Sequence, residues 1–115
     1  MQYQITIYNT AEAVRALEGD SKEEFEAAHG SVQRELTASG ELLESNVFSD
    51  VDARVVRVED GRPVVSDGRY SEAGVWAGGY YRVECASLER AVEIAGRFIV
   101  EARYAPIEVR RLGFD

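Results

Sequence analysis

The stretch "GGYYRVECASLERAVEIAGRFIVEARYAPIEVRRLG", residues 78–113, decides the fold. It opens on an alternation over 78–86. Tyr81, Val83 and Cys85 fall on one side of an extended chain, and Tyr80, Arg82 and Glu84 on the other. A period of two marks a strand with one buried face. Ser87 then stands where a helix N-cap belongs. "LERAVEIAGRFIVEA" (88–102) follows, with Leu88, Ala91, Val92, Ala95, Phe98 and Ile99 predicted as its apolar stripe. Pro106 stops the helix from continuing, and "IEVRRLG" (107–113) reads as a last strand. Strand, helix, strand is the unit.

The N-terminal half has the same order. "QYQITIY" (2–8) alternates, with Tyr3, Ile5 and Ile7 inward. Thr10 is placed to cap "AEAVRALE", which Gly19 would close in a left-handed conformation. "SKEEFEAAHGSVQRELTASG" (21–40) is the best-supported helix. Ser21 and Glu24 form a capping-box pattern, Gly40 ends it, and Phe25, Ala28, His29, Val32 and Leu36 share a face. "ELLESNVF" (41–48) is a short strand. "ARVVRVEDGRPVVSDG" (53–68) is a hairpin turning at Asp60-Gly61. The order β–α–β–hairpin–β–α–β predicts an α+β chain: a ferredoxin-like split β-α-β sandwich with an inserted β-hairpin. Both long helices would cover one sheet face. The other would carry Gln4, Thr6, Tyr8, Tyr80, Arg82, Glu84, Glu108 and Arg110, either solvated or set against a second subunit.

Composition narrows the function classes. The 115 residues fit one domain, 1–115. A formal charge of −8 repels nucleic-acid backbones and anionic membranes, so neither is an expected partner. The start lacks the basic and apolar regions of a signal peptide, no run is long enough to span a bilayer, and a cytoplasmic location is expected. One cysteine, Cys85, allows no internal disulfide and reads as core. One histidine and one cysteine make no ordinary zinc site, so neither a metal nor another cofactor is expected.

Between hairpin and strand lies "DGRYSEAGVWAGGY" (67–80). It resembles the motif DGPFAETKEQLGGF of the DGPF-domain branch of the YCII-related proteins, with Asp67, Gly68, Glu72, Gly78 and Gly79 kept. "MQYQITIY", "EEFEAAHGSVQRELTASGEL" with its His29-Gly30 pair, and "VVRVEDGRPVVSDG" resemble that family's first strand, first helix and hairpin. Essentially the whole chain is covered. The resemblance implies a homodimeric α+β barrel in which two sandwiches join through their sheets. It implies a pocket near the helix histidine and an aspartate that act as an acid–base pair. Distant relatives look like dehydrochlorinases, the barrel resembles muconolactone isomerases, and many DGPF members sit beside sigma factors. Departures are Arg69 for the motif's proline and Ala73-Gly74-Val75 for its Thr-Lys-Glu. Trp76 makes the loop more apolar.

The candidate residues follow. His29, facing the sheet, is either a satisfied structural histidine or a general base or acid, since imidazole titrates near neutrality. Gly30 either lets another backbone approach or leaves room beside the imidazole. Asp67 either holds an Asx-turn or orients His29, because a carboxylate beside an imidazole fixes its tautomer. Tyr70, Glu72, Trp76 and Arg82 are candidate ligand contacts. The ordinary readings of Tyr70, Glu72 and Arg82 are a packed aromatic, a solvated acid and a surface ion pair. Gly78-Gly79 read as a bulge or a relaxed strand entry. The resulting expectation is a homodimer that binds a small organic molecule, aromatic or anionic, and transfers protons without a cofactor (isomerisation or elimination). The alternative is a non-catalytic ligand sensor or a partner of a transcription regulator.

Overall fold

A computed structural model of the chain describes residues 1–113. It is an α+β fold of ferredoxin-like type. The chain runs β1 (Gln2–Asn9), α1 (Ala11–Glu18), α2 (Lys22–Ser39), β2 (Leu42–Val47), β3 (Arg54–Glu59), β4 (Arg62–Asp67), β5 (Trp76–Glu84), α3 (Leu88–Ala95), α4 (Ile99–Ala102) and β6 (Ile107–Arg111). Four strands form one sheet in the order β2-β5-β1-β6, and every neighbouring pair is antiparallel. Strands β3 and β4 form a separate hairpin. Its turn places Asp60 at φ 50° and Gly61 at φ 75°, the paired positive angles that match a tight turn to strand twist.

The alternation read from the sequence sets the two faces. Tyr3, Ile5, Ile7, Tyr81, Val83 and Cys85 are buried with Val32 and Leu36 of α2 and with Ala91, Ile94, Ala95 and Phe98. The opposite face aligns Gln4 between Arg82 and Arg110, and Thr6 between Tyr80 and Glu108, as the pattern predicts. Thr10 and Ser87 both cap as expected: their hydroxyls accept from Ala13 N and Arg90 N, each at 3.1 Å. Gly40 closes α2 at φ 78°.

Three local expectations are corrected. Ser21 makes no side-chain cap, because its own backbone lies in a turn at φ −95°, ψ 2° and not in the extended region that aims a capping hydroxyl. Gly19 sits at φ −117°, so it is not a left-handed stop; the three-residue link to α2 turns the chain instead. The C-terminal helix is also two helices. It stops after Ala95, Phe98 breaks it at φ −88°, ψ 59°, and α4 restarts the phase. The buried stripe is therefore Ala91, Ile94, Ala95, Phe98, Val100 and Glu101, while Leu88, Val92 and Ile99 are exposed. That shift carries a carboxylate into the core.

Candidate active site

The pocket forms where β1, β2 and β5 meet α2 and α4. Its volume is about 400 Å³, and Ile7, Asn9, Leu17, Phe25, His29, Gln33, Ser45, Asn46, Val47, Gly78, Gly79, Tyr80, Tyr81 and Glu101 line it. Gly78 and Gly79 open its strand-side wall. The β1–β5 register shifts at Ile7/Tyr8, opposite these glycines, so the pair accommodates a bulge. A Cβ on Gly79 would stand 3.0 Å from the Asn46 carbonyl oxygen, and one on Gly78 would stand 3.3 Å from the Asn9 side chain. Both glycines thus allow close approach, in addition to the bulge that was one of the two readings of their pairing in the sequence.

His29 lies on the sheet-facing side of α2, as its spacing from Phe25, Val32 and Leu36 requires. Its ring packs on Phe98 with centroids 4.5 Å apart and on Phe25 at 4.6 Å. Both ring nitrogens have partners. Nδ1 lies 2.7 Å from the Tyr81 hydroxyl, and Nε2 bonds to the Glu101 carboxylate. Gln33 Nε2 donates to the same phenol oxygen at 3.2 Å. The neutral imidazole then has one consistent assignment. An ionised carboxylate only accepts, so Nε2 carries the proton, and the Tyr81 O–H donates to Nδ1. The result is a directed chain from Tyr81 through His29 to Glu101. Burial raises the Tyr81 phenol above its ordinary pKa, against the neighbouring Gln33 and Ser45 side chains that lower it, so Tyr81 rests protonated.

Glu101 is 3 % exposed and is the one charged residue in the buried set of described residues. Its Oε2 receives His29, while Oε1 is buried without a hydrogen-bond partner. Asn9 Oδ1, at the end of β1, is likewise buried and unpartnered. A buried acceptor left without a donor costs on the order of 1–3 kcal/mol, and more when charged. The pocket therefore concentrates unmet acceptor capacity. Among the described residues no lysine or arginine lines it.

The other candidate residues lie elsewhere. Asp67 sits at the exposed end of β4, with its side chain 92 % exposed and 3.1 Å from Arg54 Nε. Within one chain it does not orient His29, because Glu101 and Tyr81 occupy both imidazole nitrogens. Tyr70, Glu72 and Trp76 come together around a second, more open hollow of about 800 Å³ with Tyr8, Phe48 and Arg69. Arg69 stacks on the Trp76 ring at 3.7 Å and pairs with Asp50 at 3.1 Å. The residue replacing the motif's proline thus pins the loop by its side chain. Arg82 lines neither hollow. It lies on the bare sheet face, donating to Gln4 at 3.2 Å and pairing with Glu44 at 3.5 Å. Cys85 is buried, as its side of the strand indicates.

Sequence reasoning missed Glu101, Asn9 and the roles of Tyr81 and Gln33. For Glu101 a signal existed: Phe98, Glu101 and Ala105 are spaced by three and four, which puts the acid on the apolar face. Among the described residues no three His, Cys, Asp or Glu side chains gather as a metal site would need. No helix among them is long and apolar enough to cross a membrane.

The model of the YCII-related domain family matches residues 1–105. An uncharacterised protein of Rhizobium meliloti (strain 1021) is 27 % identical over 96 residues, spanning 83 % of this chain and 77 % of that protein.

Proposed function

The chain belongs to the YCII-related domain family, and from that premise we propose that it is a homodimeric small-molecule-binding protein that performs cofactor-free acid–base chemistry through His29. The observation that carries this reading is the Tyr81–His29–Glu101 chain at the wall of the pocket. A ligand proton passes to the Tyr81 oxygen as the phenol's own proton passes to Nδ1. Glu101 then faces an imidazolium and stabilises it. Returning the proton to a different ligand atom isomerises the ligand; losing a leaving group with its electron pair instead completes an elimination. The orienting carboxylate in this reading is Glu101 in place of Asp67.

A non-catalytic sensor is the second reading. It is favoured by the engagement of both imidazole nitrogens, which leaves neither aimed at a ligand directly. The two readings part on solvent-deuterium exchange into a panel of small carbon acids, followed by proton NMR. Wild type should exchange one of them, with His29→Gln slower by roughly 10²–10⁴-fold and Tyr81→Phe also impaired. A folded His29→Gln variant that exchanges at the wild-type rate removes His29 from the chemistry.

The dimer rests on two unpartnered surfaces. One is the polar and aromatic bare face of the sheet. The other is one face of the hairpin, where Val56, Val58 and Val65 are 62 %, 72 % and 60 % exposed. A two-stranded hairpin is marginal alone, and a valine face is ordinarily covered.

A further inference from the structure

We infer that the His29 pocket selects a ligand through a cationic N–H group, a primary ammonium on a small apolar or aromatic body, and rejects carboxylates and phosphates. This rests on the pocket reading above and names its ligand class.

Three observations carry it. Glu101 and Asn9 line the pocket, and the Oε1 of the first and the Oδ1 of the second are buried without a donor. Glu101 Oε2 is already held by His29, so Oε1 is the acceptor left to a ligand. The tautomer chain ends on Glu101, whose ionised carboxylate carries the negative charge of the Tyr81–His29–Glu101 unit, shared between its two oxygens. An ammonium supplies three N–H donors and the opposite charge at once. An anion would meet a buried carboxylate with no lysine or arginine in the wall to offset it. The rest of the lining, notably Phe25, Leu17 and Ile7, is apolar and suits a hydrocarbon body. The sequence alone pointed toward an aromatic or anionic ligand; the wall retains the first property and opposes the second.

The test uses benzylamine, benzyl alcohol and benzoate, which share one body and differ in the head group. Because His29 is the chain's single histidine, its imidazole signals report occupancy without ambiguity. At neutral pH benzylamine should shift them saturably and bind about tenfold more tightly than benzyl alcohol, the ratio one charge-assisted bond gives. Benzoate should leave them unmoved. In Glu101→Gln the amine's preference should fall to about onefold, which separates the pocket charge from the general attraction of an acidic protein. Benzoate shifting His29 as tightly as benzylamine overturns the charge assignment while leaving the pocket reading standing. So does a Glu101→Gln variant that keeps the preference. If none of the three moves His29, both the ligand class and the pocket reading fall. Should Glu101→Gln not fold, the three-way comparison in wild type still decides.

Discussion

Glu101 shows how one side chain determines what His29 can do. A histidine between aromatic rings in a core has ordinary structural uses, and the sequence offered Asp67 as its partner. The carboxylate that reaches it is instead Glu101, on four residues of helix that the sequence pattern joined to a longer one. A break at Phe98 is invisible to periodicity, since Gly96 is tolerated inside helices and no proline marks the stop. His29 itself was legible from its spacing. Gly30 gives a test at this scale. Its expected role was close backbone approach or room beside the imidazole, yet a Cβ there meets only the Arg34 guanidinium, at 3.2 Å, and a flexible side chain can move aside. Gly30→Ala should therefore stabilise the protein by about 0.5–1 kcal/mol, the helix-interior gain over glycine, read from urea unfolding. A loss of stability would show that the space beside Gly30 is needed.

At the scale of elements, the strands were more legible than the helix ends. Alternation fixes a strand's faces by counting: β1 and β5 bury the residues their pattern assigns, and β6 packs half-buried Ile107 and Val109 against the same core. Helix caps depend on backbone angles outside the helix, which is why the Ser21 capping box did not form. The β3–β4 hairpin poses the sharpest element-scale question. Its turn was readable from Asp60-Gly61, but Val56 opposite Val65 and Val58 opposite Pro63 form an apolar strip that the other described residues leave exposed. If a second subunit covers that strip, light scattering should give the mass of two chains. Val65→Lys, which places a charge in the strip, should then dissociate the pair toward one chain at micromolar concentration. A wild-type mass of one chain would remove the dimer. An unchanged dimer in the lysine variant would move the interface away from the hairpin.

Across the whole molecule, the sheet brings distant parts of the chain to one pocket: Asn9 from β1, His29 and Gln33 from α2, Tyr81 from β5 and Glu101 from α4. The class of fold was legible because two strand–helix–strand halves repeat along the sequence. The site was only half legible. Convergence of residues 9, 29, 81 and 101 is a property of sheet order, β2-β5-β1-β6, and no local pattern records it. The loop before β5 builds the more open hollow around Trp76, apart from His29. The central claim is that Tyr81, His29 and Glu101 form one directed chain for a proton. Its most direct test is a long-range ¹⁵N–¹H correlation spectrum of the single imidazole in the unliganded protein. The account predicts a protonated Nε2, held by Glu101, and a lone pair at Nδ1 receiving the Tyr81 hydroxyl, with the imidazole signals shifted in Glu101→Gln, which removes the carboxylate charge. A neutral imidazole protonated at Nδ1, or a spectrum unchanged by Glu101→Gln, would contradict it.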